Sequence, residues 1–315
     1  MTLPLASTLP AGGEPDAGTH DNTRRRSRRV FAYLVSLTHL YWQVALYAVP
    51  LALLVSMSFW VTENFQFVPA FSLANYAALI AKPQYLTGLW NSLRYAGIAA
   101  VTAGLLALPL SYTLAFVVPA RWRPWAVGLV LLPFFSDVVV RMFAWQLWLS
   151  NQGIVAEALR AVGFGGAEVG VLYTETASLV GMLSLLVPVS ALLIFLGFIQ
   201  VNPILLLAAE NLGASRGQIF WRVQLPFAGP AMVTSLLICF LMAIGDFVAS
   251  SILGGNRTFY LTAAIEGRLK IDDWPMAAAL GVVILLVSSV LIAALLRLLN
   301  WIPSISPPPR KAARA

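Results

Sequence analysis

Residues 202–230 read NPILLLAAENLGASRGQIFWRVQLPFAGP, a polar interruption with strongly apolar runs on either side. Within it stand Glu210, Asn211, Ser215, Arg216, Gln218, Arg222 and Gln224. Asn202-Pro203 is a helix start, an N-cap acceptor followed by a ring whose missing N–H costs nothing at the first position. Ala208, Ala209 and Leu212 then share one face of a short helix, and Gly213 leaves a gap where another surface can come close. Leu225-Pro226 is expected to end the element, because a residue before proline is pushed out of the helical region. A helix this short and polar cannot cross a bilayer. It belongs at the membrane surface, where it must meet something.

The rest of the chain is a membrane protein by composition. Charged residues make up only 10% and apolar ones 59%, where a soluble domain carries about a quarter charged residues. The net charge of +7 does not point to nucleic acid, because Arg24, Arg25, Arg26, Arg28 and Arg29 sit directly before the first apolar run, as a cytoplasmic flank does. Residues 1–36 are expected to be a disordered basic cytoplasmic tail, 37–300 the membrane domain, and 301–315 a second cytoplasmic tail. Six apolar runs, about 37–60, 90–118, 125–149, 174–199, 227–250 and 276–300, each reach the roughly 20 residues that a crossing helix needs. Pro50, Pro109, Pro133 and Pro188 lie inside runs and mark expected kinks. Cys239 is the single cysteine, so no intrachain disulfide forms, and His20 and His39 are too isolated to hold a metal.

Orientation follows from the basic residues. The N-terminal arginines, Arg121, Arg123, Arg216, Arg222, Arg310, Lys311 and Arg314 alternate with loops in which Lys82, Arg160, Arg257, Arg268 and Lys270 are offset by acids. The positive-inside bias puts both termini and 200–226 in the cytoplasm, and the loops at about 61–89, 150–173 and 251–275 outside.

Ala208, Ala209, Gly213, Val223, Leu225 and Pro226 match the spacing of the EAA signature, and on it the chain resembles the permeases of ABC importers. Leu207 stands where that family has Glu, with Glu210 three residues on and nearly on the same face. NSLRYAG (91–97), LPFFSDVVVRMFAWQLWLSNQG (132–153), AAENLGASRGQIFWRVQLP (208–226) and IGDFVASSILGG (244–255) extend the resemblance over most of 37–300. They bring it nearest to the spermidine/putrescine permeases of the first-permease kind, in a subfamily that also carries opines, aminophosphonates, iron or thiamine.

The resemblance implies an all-α fold of six transmembrane helices, the type I (MetI-like) importer permease fold, N-in and C-in, in a bacterial inner membrane. It makes the 203–217 helix the coupling helix, with Ala208, Ala209, Glu210, Gly213, Arg216, Leu225 and Pro226 facing or shaping the contact with an ABC ATPase. The implied partners are two ATPase copies, a second homologous permease, an extracytoplasmic substrate-binding protein, the lipid bilayer and a small-molecule substrate, with no nucleic acid and no cofactor. No GxxxxGK[ST] phosphate cradle occurs in the chain, so a separate subunit is expected to hydrolyse ATP.

Charges in a bilayer are functional candidates. Asp137 and Arg141, four apart in the third run, either pair along one helical face or line the translocation path. Asp246 falls near the outer end of the fifth run, where it offers a carboxylate to a cation or serves as a loop-entry hydrogen-bond acceptor. Trp145 and Trp148 read as belt tryptophans or as rings for an ammonium group. Glu175 and Tyr173 read as anchors of the fourth span. A carrier working alone would show paired broken helices or an internal repeat, and a membrane enzyme would show a nucleophile–base set. Neither is evident in the sequence.

Overall fold

The computed structural model describes residues 38, 40–63, 66–163, 171–255 and 257–300. The expected tails, 1–36 and 301–315, lie outside these residues. The chain divides into Met1–Ser56 and Met57–Ala315. The helix α1 (Leu40–Met57), whose last residue opens the second unit, is apolar enough to span a membrane. Its π-helical stretch Val44–Ala48 comes just before Pro50.

The second unit continues with the hairpin β1 (Val61–Glu63) and β2 (Gln66–Val68), paired antiparallel with Thr62 opposite Phe67. Then come α2 (Ala74–Ala81) and α3 (Pro83–Tyr112), the latter continuing as a π-helix to Val117 beyond Pro109. α4 (Arg123–Leu131) runs through a 3-10 turn to Phe135, bends by 91° and becomes α5 (Val138–Leu149). Beyond α6 (Ile154–Ala161) stand α7 (Glu175–Phe198), the short α8 (Pro203–Asn211), α9 (Arg216–Ile244), α10 (Val248–Ile252), α11 (Leu261–Lys270) and α12 (Trp274–Asn300). Five helices are long and apolar enough to cross, and the bent pair supplies the sixth span. The fold is the expected all-α, six-span one, with α8 on the cytoplasmic side between spans four and five.

Spans three and five depart from the expected runs. The third is broken at Ser136–Asp137, and the fifth stops as a continuous helix at Ile244, before Asp246. At its inner end the fifth span starts earlier than the hydrophobic run. α9 begins at Arg216 and passes through a π-helical stretch, Phe220–Gln224, into Leu225-Pro226. These two residues therefore do not end the element. Leu225 donates its N–H five residues back to Phe220 O with helical φ −63° and ψ −45°, so the chain meets the proline already wound.

Packing of α3, α7 and α9 rests on small residues. Ser92, Ala96, Ala99, Ala100, Ala103, Ala107 and Ser111 form the buried seam of α3. Within lipid there is no hydrophobic gain between helices, so close backbone approach and interhelical hydrogen bonds hold the bundle. A Cβ on Gly197 would stand 2.6 Å from Ala231 Cβ, which shows how near α7 and α9 lie. Ser111 Oγ donates to Ala191 O at 2.9 Å, Ser235 Oγ to Ser190 Oγ at 2.7 Å, and Cys239 Sγ to Leu186 O at 3.7 Å.

The coupling segment and the polar groups of the outer mouth

The cytoplasmic segment is built from local contacts. Asn202 caps α8, its Oδ1 accepting from Ile204 N at 3.0 Å, with Pro203 in the first position as its sequence demands. The helix ends in a Schellman turn, Ala214 N donating to Ala209 O at 3.0 Å and Gly213 N to Glu210 O at 2.9 Å. Gly213 sits at φ +79°, and a Cβ there would meet nothing within 4 Å. Within this chain the glycine serves the turn, not a close approach. Ser215 and Gln218 then form a reciprocal capping box for α9, at 3.3 and 2.8 Å.

The segment displays large apolar side chains among its polar ones. Ile204, Leu207 and Leu212 are 69%, 59% and 88% exposed, with Ala208, Glu210, Arg216 and Pro226 also exposed and Ala209 and Leu225 half-buried. Three large apolar side chains thus stand open on a helix whose two ends are capped. The Glu that Leu207 replaces would stand on this face, and Glu210 stands exposed one turn on.

Spans three and five each carry an aspartate where the helix is interrupted, Asp137 within the third and Asp246 just beyond the end of the fifth. Asp137 caps α5, its Oδ1 accepting from Val139 N at 2.8 Å and Val140 N at 3.4 Å. It forms no ion pair with Arg141: the carboxylate serves the helix terminus. Arg141, one turn on, has Nε and Nη1 shielded from solvent without a hydrogen-bond partner among the described residues, though the charge of Asp137 acts on it. Trp145 packs against the core that includes Met142 and sets its ring edge-on to Trp148 at 6.1 Å.

Asp246 stands just past the end of the fifth span. Its Oδ1 accepts from Ala249 N at 3.4 Å, whereas Oδ2 is buried without a partner. Burial pushes this carboxyl up to about 6, against the opposing pull of the N–H groups of Ala249, Ser250 and Val248. α10, which follows Asp246, packs on α5 and α7 through Met142, Ala249 and Leu253. The two breaks thus border one core.

Sequence reasoning missed the polar cluster beside them. Arg94 Nη2 reaches Glu175 Oε1 and Oε2 at 2.5 and 2.8 Å, and Tyr260 OH donates to Glu175 Oε1 at 3.5 Å. Glu175 is the first residue of α7, behind its N-cap Thr174. Tyr95 on α3 lays its ring 5.2 Å from that of Tyr260. The available signal was Arg94 itself, a charge one turn inside an apolar run. Tyr173, at φ +63°, donates its N–H to Leu253 O at 2.8 Å, tying the start of α7 to the end of α10.

The chain is 29% identical over 264 residues to the spermidine/putrescine transport system permease protein PotB of Salmonella typhimurium (strain SL1344), covering 83% of this chain and 91% of that one. The PotB protein of Haemophilus influenzae is 30% identical over 254 residues, 80% of this chain and 88% of that one. A crystal structure of a bacterial ABC transporter involved in the import of the acidic polysaccharide alginate shares the fold, with a TM-score of 0.73 at 18% identity over 90% of this chain and 99% of that one. The model of the binding-protein-dependent transport system inner membrane component family matches residues 39–301. The chain therefore belongs to that family: it is a multi-pass inner-membrane permease subunit of an ABC importer.

Proposed function

We propose that this permease imports a polyamine, putrescine or spermidine. The likeness to spermidine/putrescine permeases over about four-fifths of the chain carries this reading. The unpartnered Asp246 oxygen at the outer end of the fifth span adds to it, since a carboxylate there suits a cationic cargo. The fold is shared with an importer of an acidic polysaccharide, so fold does not choose the cargo.

In this reading one copy of a separate, paired ATPase docks on the exposed face of α8, with Ala208, Ala209, Glu210, Gly213 and Arg216 in or beside the contact and Leu225-Pro226 relaying it into α9. A second permease completes the path, and a binding protein delivers the cargo from outside. Closure of the ATPases moves α8 and tilts the spans between inward- and outward-open states. Asp137, Arg141, Trp145 and Asp246 border the path.

One observation favours a second cargo. The two buried, unpartnered Arg141 nitrogens suit an acid group, as on an opine or an aminophosphonate. The test is reconstitution with the co-purifying subunits, asking which solute on its binding protein stimulates ATP hydrolysis. Stimulation by putrescine or spermidine is expected. Stimulation by an acid-bearing solute alone would replace the polyamine reading, and the absence of a co-purifying ATPase would remove the coupling assignment.

A further inference from the structure

Arg94, Tyr95, Ile98, Glu175, Thr176 and Leu179 line a cavity of about 120 Å³ between α3 and the start of α7. It has room for about four waters, or for the head group of an amine but not a whole polyamine. Both charges are reachable from outside, with the Arg94 side chain 45% and the Glu175 side chain 40% exposed. Tyr95 is only 6% exposed, and its hydroxyl, cut off from solvent, has no partner among the described residues. A buried hydroxyl without a partner is rare and costly, and here it belongs to a residue that lines the cavity.

We propose that this cavity binds a primary ammonium group, which takes Glu175 over from Arg94. Two of the lining residues, Glu175 and Tyr95, offer acceptors, and Tyr260 stands beside Glu175. An ammonium carries three donors, and the Glu175 carboxylate and the hydroxyl oxygens of Tyr95 and Tyr260 are acceptors in one cluster. The tyrosine rings offer aromatic faces to a cation. The Glu175 carboxylate, at the N-terminus of α7, disfavours an anion at this wall.

Arg94 is a placeholder suited to displacement. A single nitrogen, Nη2, serves both carboxylate oxygens, not the two-nitrogen fork that makes arginine pairs firm, and the half-exposed pair is screened by water. Because Arg94 ties α3 to α7, an incoming ammonium would loosen the two spans at their outer ends as it binds. Asp246, within electrostatic reach of Tyr95, supplies a further carboxylate to the same region.

This rests on the reading that the cargo is a cation arriving from outside, but the site can be tested apart from it. Uptake of labelled putrescine by the reconstituted importer is compared for wild type, Arg94→Gln and Glu175→Gln. An ammonium site predicts opposite effects: Arg94→Gln frees the carboxylate and lowers the half-saturating concentration about threefold, and Glu175→Gln raises it tenfold or more. A static tie between helices predicts that both substitutions shift it in the same direction, and that result, or no shift in either, overturns the proposal. Tyr95→Phe removes only the unpartnered hydroxyl and should raise the value about threefold. Equilibrium dialysis of labelled methylammonium against the purified assembly, without binding protein, is the second arm. Binding that is lost in Glu175→Gln and strengthened in Arg94→Gln supports the site even if the importer turns down putrescine. Binding unaffected by either substitution overturns the site even if putrescine is transported.

Discussion

The cytoplasmic segment and the outer mouth solve the same problem, polar backbone and side chains at a membrane surface, in opposite ways. Around α8 every tie is local: Asn202 to Ile204, Ala214 to Ala209, Ser215 to Gln218. At the outer mouth, beside the local caps of Asp137 and Asp246, there are ties between residues far apart in sequence. Arg94 meets Glu175, Asn91 Nδ2 donates to Phe259 O at 3.1 Å, Leu261 N to Ser92 Oγ at 3.0 Å, and Thr62 Oγ1 to Asp273 Oδ1 at 3.1 Å. A locally stitched element can be pushed as one body without breaking its own contacts. A mouth stitched across helices has to give up contacts in order to open.

The strongest way to break that contrast is Gly213→Glu. Within this chain the substituted side chain would enter open space, so the cost to the fold is limited to the left-handed backbone, about 1–2 kcal/mol. On the proposed docking face it would put a charge beside Leu212. The permease should insert normally and lose binding-protein-stimulated ATP hydrolysis by more than tenfold, whereas Gly213→Ala, with the same backbone strain, should keep most of it. Equal loss in both would mean that the turn, not the surface, couples.

At the outer side the corresponding test is Asp273→Ala. This carboxylate accepts from Arg268 Nη1 at 3.0 Å and from Thr62, and caps α12 through Met276 N at 3.4 Å. Arg268 also reaches Tyr85 OH on α3. One residue thus joins β1, α11 and α12, and its removal should cost about 2 kcal/mol or more from the lost cap and an unpaired arginine. Limited proteolysis of 257–273 in proteoliposomes should speed up markedly, with α8 unaffected. Faster cleavage at both faces would erase the contrast.

Asp246→Asn probes the mouth more gently. The wild-type carboxyl, pushed up to about 6 by burial, loses its charge as external pH falls through that value, so uptake of a cation should drop several-fold between about pH 7.5 and 5. The Asn variant should be low and flat across this range. Stability runs the other way. A raised carboxyl favours the folded state most fully below the ordinary value near 4, and that contribution is lost as pH rises through about 6. Wild type should therefore unfold at higher temperature at acid pH, and the Asn variant should lack that gain. Full cation transport by the variant would remove Asp246 from the path.

The same contrast governs what could be read from the sequence. Asn202-Pro203 and the start of α8 were legible because cap and partner lie within three residues. The six spans were legible because length and apolarity are properties of a single run. The misreadings have physical causes of another kind. Leu225-Pro226 looks like a terminus only if the helix keeps its i→i+4 register, and the π-helical stretch before it changes that register. Asp137 and Arg141 are placed for an intrahelical pair in a straight helix, but the 91° bend turns Asp137 into a cap. Arg94 and Glu175 are 81 residues apart, and nothing in either neighbourhood announces the other.

Inside the bundle Ser235→Ala should have the smallest effect, and its size decides what holds the spans together. Ser235 donates to Ser190 in a fully buried contact between α9 and α7. Hydrogen bonds between membrane helices average only about 0.6 kcal/mol, and the orphaned Ser190 hydroxyl can turn to a carbonyl of its own helix. Thermal unfolding in detergent should therefore move by no more than a degree or two. The neighbouring Gly197→Leu, which forces bulk against Ala231 and Ala228, should do far more damage. If Ser235→Ala were instead the worse of the two, hydrogen bonds and not close packing would be holding α7 to α9. The bundle would then be tied like the outer mouth and could not tilt as a rigid set of spans.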